Sequence, residues 1–269
     1  MDTNKVLLCL MAIVVLMGAD FALANSGIGV SAITVPSADV TLSFIQPGRV
    51  AKISVKEGDK VTPGQLLMRL DDAAELARLS QIKAQSQDTT KIEGAEASLA
   101  QKENYLKKLE WAQKRGSVTE LEVADAQLEV TIAKLSLRIA IFEHEQDKRS
   151  YQEAQIRVGN MSLKSPIDGT VEKIEVEVGE SINGLVGTIR VVKTDPLWID
   201  VPMPLTKAKN LKSGQTVTVN FPGLGTASQK GRIIFVATAA DAASATLRVR
   251  VEVPNKSSRL SGEQVTVGF

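Results

Sequence analysis

Gly48-Arg-Val-Ala-Lys-Ile-Ser-Val-Lys-Glu-Gly58-Asp-Lys-Val61 and Gly169-Thr-Val-Glu-Lys-Ile-Glu-Val-Glu-Val-Gly179-Glu-Ser-Ile182 are two versions of one motif, separated by a constant offset of 121 residues. Six positions are identical: Gly48/Gly169, Val50/Val171, Lys52/Lys173, Ile53/Ile174, Val55/Val176 and Gly58/Gly179. Asp59/Glu180 and Val61/Ile182 keep their character. Ile53 and Val55, like Ile174 and Val176, alternate with polar residues, as strands with one buried face do. Two short strands cannot bury a core alone. The two halves, residues 37–71 and 161–194, are therefore expected to pair into one small β-sandwich.

Outward from this repeat the texture changes twice. Residues 72–158 contain no Pro and only Gly94 and Gly116, a helical composition. Leu121, Leu128, Leu135, Phe142 and Ile156 recur at multiples of seven, broken only by Arg149, with Ile132 and Ile139 as companions, which reads as a coiled-coil seam. Ile92, Leu99 and Leu106, with Ala95 and Leu109, make a less regular first arm, and the polar stretch 85–90 suggests a stutter. Between the arms, Gly116 is placed to end one helix and Ser117 or Thr119 to cap the next, with Glu120 and Glu122 completing two overlapping capping boxes. The expectation is an antiparallel helical hairpin over residues 72–160, each arm reaching about 60 Å. Pro166 is expected to stop the helix or its extension. After Asp195-Pro196, short alternating strands at 197–201, 216–221, 231–236, 246–253 and 264–268 are separated by Gly, Pro and Asn, the pattern of a small antiparallel barrel over 195–269.

The N-terminus carries an apolar run at residues 6–17 followed by Ala22-Leu23-Ala24, a small-x-small pattern expected to be a signal peptide, residues 1–24, with an uncleaved anchor as the alternative. Composition narrows the chemistry. With 32 Lys+Arg against 31 Asp+Glu, the net charge of +1 supplies no global field for nucleic acid. One His and one Cys exclude a Cys/His zinc cage, a Cys-His nucleophilic pair and an intrachain disulfide. His144, flanked by Glu143 and Glu145, reads as a solvated helix residue, and Asp71-Asp72 as helix-capping acids. Gly223-Leu-Gly225 and Gly184-Leu-Val-Gly187 lack the following helix that a phosphate loop needs. No catalytic, cofactor or metal site is expected, and the protein is read as not an enzyme.

The 48–67 motif, the helical insert, and Ser165-Pro-Ile-Asp-Gly-Thr-Val171 together resemble the split biotinyl/lipoyl-like domain of periplasmic adaptor proteins. These are also called membrane fusion or HlyD-like proteins, of tripartite efflux pumps and type I secretion systems. Asp195-Pro-Leu-Trp-Ile-Asp-Val201, Leu211-Lys-Ser-Gly-Gln-Thr-Val217 and Leu260-Ser-Gly262 resemble the β-barrel of the same family. The resemblance covers residues 37–269. It implies an elongated, modular α+β protein: a split lipoyl-like β-sandwich with an inserted coiled-coil hairpin, followed by a small antiparallel barrel. In carrier domains the modified Lys sits at a hairpin tip between the half-motifs; here 87 residues replace that hairpin, so neither biotin nor lipoate is expected.

The implied role is a periplasmic adaptor of a Gram-negative bacterium, associated with the inner membrane through its transporter and linking that RND or ABC transporter to an outer-membrane channel. Self-association into a ring or dimer units is implied as well. The family's tip pattern for the channel, an Arg, a Leu four residues on and a Ser seven further, falls on Lys108, Ala112 and Thr119, with the Leu lost. Docking is therefore expected at Lys108, Ala112, Arg115, Gly116, Ser117 and Thr119. The chain stops just after the last barrel strand, where adaptors of RND pumps usually add a membrane-proximal segment, so the expectation is a shorter adaptor or one serving another transporter class. The rival readings are a periplasmic coiled-coil scaffold without a transport role and a biosynthetic carrier domain.

Overall fold

The computed structural model describes residues 29–222 and 228–269; the expected signal peptide and the Gly223-Leu-Gly225 loop lie outside the described residues. In chain order the elements are β1 (Gly29–Ser43), β2 (Gly48–Ile53), β3 (Lys60–Val61), β4 (Leu66–Leu70), α1 (Ala73–Gln87), α2 (Thr90–Gln113), α3 (Glu120–Gly159) and β5 (Ser162–Lys164). There follow β6 (Gly169–Ile174), β7 (Ser181–Ile182), β8 (Gly187–Pro204), α4 (Leu205–Ala208), β9 (Thr216–Asn220), β10 (Ser228–Val236), β11 (Thr246–Val253) and β12 (Gln264–Gly268). They fall into two compact units, one of residues 40–191 and one of 192–269 together with the described N-terminal residues up to 39.

In the 40–191 unit the repeat becomes an internal near-two-fold exchange. Gly48 and Arg49 pair with Ile182 and Ser181, while Val61 and Lys60 pair with Gly169 and Thr170. The Val50 N–H donates to the Glu180 carbonyl at 2.8 Å, and its counterpart Val171 N–H donates to the Asp59 carbonyl at 2.9 Å. Gly58 N–H reaches the Val171 carbonyl and Gly179 N–H the Val50 carbonyl, both at 2.8 Å. Each half thus satisfies backbone groups that the other leaves open, which is why neither half is a unit by itself. The core repeats the offset as well: Val50/Val171, Val55/Val176, Val61/Ile182, Met68/Ile189 and Leu70/Val191 are all buried. Phe44 and Leu67, buried in the same cluster, each contribute about 1.5–3 kcal/mol by leaving water. The correspondence runs further than the motif visible in sequence. Gly64 N–H bonds the Ser165 carbonyl and Leu185 N–H the Phe44 carbonyl, so equivalent positions extend over 44–70 and 165–191.

The inserted hairpin sets α1 and α2 against the single 40-residue α3. The polar stretch expected to be a stutter is a helix break at Asp88-Thr89. Lys91–Glu143 and Lys102–Glu129, both 2.8 Å, and Lys134–Glu103 at 3.4 Å cross between the arms. Solvent screens these exposed pairs, so they set register more than stability.

Packing of the arms corrects the expected seam. The buried residues of α3 are Val123, Ala126, Val130, Ala133, Ala140 and Ala154, whereas Leu121, Leu128, Ile132, Leu135, Ile139 and Phe142 face solvent. The arms use a narrow, alanine-rich contact, and the bulky heptad lies on the opposite side of the helix. Three smaller expectations also change. His144 is half-buried on the seam side, where its Nδ1 has no hydrogen-bond partner, because it follows Ala140 by one turn. Asp72 makes no side-chain cap and pairs with Arg69 at 2.8 Å, whereas Asp71, paired with Arg49 at 2.6 Å, also accepts the Ala73 N–H at the start of α1. The helix ends at Gly159, and β5 intervenes before Pro166, so Pro166 does not terminate it.

In the other unit the strand order is β1-β12-β9-β10-β11-β8, and β1 also pairs with β8, closing a six-stranded barrel. One of the six, at residues 29–33 of β1, carries a strand that the alternation of the C-terminal segment alone does not reveal; it runs antiparallel to β12 from Gly29↔Gly268 to Ile33↔Gln264. Inward-facing Ile199, Val201, Val219, Ile233, Val249, Val251 and Val267 are fully buried, the period-2 pattern of a filled small barrel. Opposite one another on β8 and β11, Asp200 and Arg250 form a two-pronged ion pair at 2.7 and 2.8 Å, with the guanidinium 4.5 Å from the Trp198 ring centroid.

Candidate functional site

The hairpin tip is a tightly closed turn. Gly116 has φ +73°, a left-handed conformation that glycine adopts without cost. Its N–H donates to the Gln113 carbonyl at 2.9 Å, and Ser117 N–H donates to the Ala112 carbonyl at 3.1 Å, the two bonds of a Schellman close. Thr119 then opens α3. Its Oγ1 accepts the Glu122 N–H at 3.3 Å while the Glu122 carboxylate accepts the Thr119 N–H at 2.8 Å. The backbone N–H of Thr119, followed by its hydroxyl, holds the Glu122 carboxyl below the usual range. Of the two overlapping boxes expected, the Thr119–Glu122 box forms.

Lys108 and Ala112 lie on the last turns of α2, and Arg115, Gly116, Ser117 and Thr119 follow within the turn. These six residues are therefore brought together at one end of the hairpin. The sequence reading missed Trp111. It is 57% exposed and carries the Arg115 guanidinium 3.4 Å from its ring centroid, a stacked cation worth about 0.5–1 kcal/mol at an exposed site. Their spacing, four residues apart on one helical face, was the available signal. Lys107, Lys108, Trp111 and Ala112 line a shallow groove of about 500 Å³. Chemically the tip offers one flat aromatic surface, four nearby cations (Lys107, Lys108, Lys114 and Arg115) and a backbone held by internal bonds. It contains no nucleophile–base pair, and among the described residues no group of three or more His, Cys, Asp or Glu is arranged to hold a metal. No helix among the described residues is long and apolar enough to cross a membrane.

Comparison with known proteins matches both units. Residues 40–192 match the model of the RND MFP barrel-sandwich hybrid domain, and 196–267 that of the CusB-like β-barrel domain. Multidrug export protein EmrA of Haemophilus influenzae is 25% identical over 215 residues, covering 68% of this chain. The chain spans 55% of that relative's length. A UPF0194 membrane protein of Yersinia enterocolitica is 27% identical over 241 residues, covering 75% of this chain and 74% of its own. Among solved structures, MacA from Actinobacillus actinomycetemcomitans superposes with a TM-score of 0.71 at 18% identity, over 90% of this chain and 78% of that one, a likeness of fold. The split, helix-interrupted β-unit followed by a six-stranded barrel is thus shared in sequence and in architecture. With the barrel-sandwich hybrid match alone taking in more than half of its residues, the chain belongs to the membrane fusion protein family.

Proposed function

We propose that the protein is a non-enzymatic periplasmic adaptor that joins an inner-membrane transporter, of the RND or ABC type, to an outer-membrane channel for export of small molecules or other substrates. The observation that carries this reading is the hairpin tip: a capped turn presenting Trp111 and Arg115 at the end of the 24-residue α2, just before the 40-residue α3 begins. A tip needed only to reverse the chain has no use for an exposed Trp. The β-units would engage the transporter while Lys108, Ala112, Arg115, Gly116, Ser117 and Thr119 meet the channel. The membership just established and the naming of EmrA as an export protein support the reading. The mechanism is geometric: stiff helices and repeated weak interfaces transmit motion, without a reacting centre.

The test is export or resistance in a cell that depends on this protein. Arg115→Glu costs at most the stacking energy, about 1 kcal/mol, so the protein should accumulate normally. Export should nevertheless fail, because an interface charge meets its partner directly. If Arg115→Glu and Gly116→Trp both leave transport intact at normal protein levels, the tip is only a turn and a scaffold role without transport is favoured.

A further inference from the structure

The near-neutral chain hides a segregation of charge. Residues 196–269 hold nine Lys and Arg against four Asp and Glu, a net +5, which leaves −4 for residues 1–195. From 201 to 240 there are five cations, Lys207, Lys209, Lys212, Lys230 and Arg232, and not one acid. Three of the four acids of this barrel segment are engaged within it. Arg250 holds Asp200 at 2.7 and 2.8 Å, Arg259 holds Glu263 at 3.5 Å, and Asp241 accepts the Ala243 N–H of its own turn at 2.9 Å. The fold then gathers cations on one outer face. Lys230 and Arg232 are exposed on β10, opposite Thr218 and Thr216 of β9. Gly214 N–H donates to the Ile233 carbonyl at 2.8 Å, which brings the exposed Lys212 segment alongside Arg232. Lys256, just beyond β11, lines a shallow groove of about 310 Å³ together with Lys230. Farther along β10, Phe235 is 44% exposed, with the Arg248 guanidinium 5.6 Å from its ring centroid. Glu252, opposite Arg232 on β11, is the acid set among them.

We propose that this face of β10, flanked by Lys212 and Lys256, docks on a membrane surface through anionic phospholipid headgroups. Like charges collected on one face repel one another and oppose folding, so their grouping calls for a negative partner. The choice of residues says which kind. Lys is depleted from protein–protein interfaces, yet three of the four cations in the row are Lys, spaced by short Thr side chains on a sheet face. Lys meets phosphate as a mobile point charge and does not demand the fixed geometry that a carboxylate fork gives Arg. Clusters of Lys and Arg are drawn to anionic leaflets in this way, and an aromatic ring such as Phe235 beside them suits the boundary between headgroups and hydrocarbon. The surface belongs to the barrel, and the proposal does not depend on what the hairpin tip binds.

The test floats the full chain with vesicles of phosphatidylcholine alone and of phosphatidylcholine with about a quarter phosphatidylglycerol. The first vesicle sets the baseline from the apolar run at residues 6–17, and the excess on the second is the quantity read. The parent should bind the anionic vesicle about tenfold more strongly or better, and salt raised from about 0.1 M to about 0.5 M should remove the excess. Lys212→Glu/Lys230→Glu/Arg232→Glu should lose it, with unchanged circular dichroism, because all three side chains are exposed. Lys52→Glu/Lys56→Glu/Lys164→Glu, the same change of net charge at exposed positions of the other unit, should keep it. Inorganic phosphate should compete no better than chloride at equal ionic strength. Equal binding to both vesicles, equal loss in the two triple variants, or specific competition by free phosphate overturns the proposal. Equal vesicle binding joined to lost export in the Lys212/Lys230/Arg232 variant assigns the face to an acidic protein surface instead. If that variant unfolds, Gln at the same three positions and the salt response of the parent decide.

Discussion

Leu185 has φ +67° and is 79% exposed, at the position where the first half of the repeat has Gly64, φ +82°. A leucine held in the left-handed region costs about 1–2 kcal/mol, and its exposed side chain recovers little of this by burial. Leu185→Gly should therefore raise stability by about 0.5–1 kcal/mol, after the extra entropy of glycine in the unfolded chain is subtracted. Thermal unfolding of the variant checks this, and a lowered midpoint would show that Leu185 has stabilising contacts. Asp200 gives a second residue-scale expectation. The hydrogen bonds from Arg250 hold its carboxyl below the usual range, against a smaller opposing effect of burial. A depressed folded value means stability that is present above the unfolded pKa of about 3.9 and lost as pH falls through the folded one. Asp200→Asn should thus cost about 1–2 kcal/mol at neutral pH, with the difference from the parent shrinking below about pH 4. A deficit that is constant with pH would assign the loss to packing instead of charge.

At the scale of elements, the two faces of α3 predict opposite responses to size. Ala133 and Ala140 are packed in the seam, so Ala133→Leu should destabilise the hairpin by about 1–3 kcal/mol through overpacking. Leu135→Ala, on the solvent face, should change the stability of the dilute protein by less than about 0.5 kcal/mol. Melting both variants by circular dichroism at low concentration tests the assignment; equal losses would return Leu135 to the seam. The sequence shows why this face was misjudged. Heptad spacing states that a helix has an apolar stripe, not which partner takes it, and alanines at 126, 133 and 140 do not stand out by hydropathy. Thr119-x-x-Glu122 was legible because a capping box is entirely local. Trp111 is legible only through its spacing, because an arginine four residues on marks a stacked, exposed pair whereas the aromatic residue by itself does not differ from a core one. The repeat was read as far as Ile182 and no further. Beyond it, side-chain identity fades to Arg69/Arg190 while backbone bonding continues the correspondence, and the strand at residues 29–33 shows itself only through its partner β12.

For the whole molecule, the 40–191 unit should not need its hairpin in order to fold. The core of Val50, Val171, Leu70 and Val191 lies among the strands, and Leu70 N–H reaches the Met161 carbonyl at 2.9 Å, so the two ends of the insert are already adjacent. Replacing residues 73–157 with a short Gly-containing turn closes a loop that is already shut. The product should keep a cooperative β-type unfolding transition and resist proteolysis; an unfolded product would contradict the mutual completion of the two halves. Such a truncated protein should have no export activity, because bridging is assigned to the hairpin and its tip. The most direct measurement is site-specific photocrosslinking in living cells from a probe placed at Ser117, with a second probe at Lys230 on the barrel strand β10 as comparison. Bridging predicts an outer-membrane channel protein linked to position 117 and absent from position 230. Active export with no channel protein linked at the tip would contradict it.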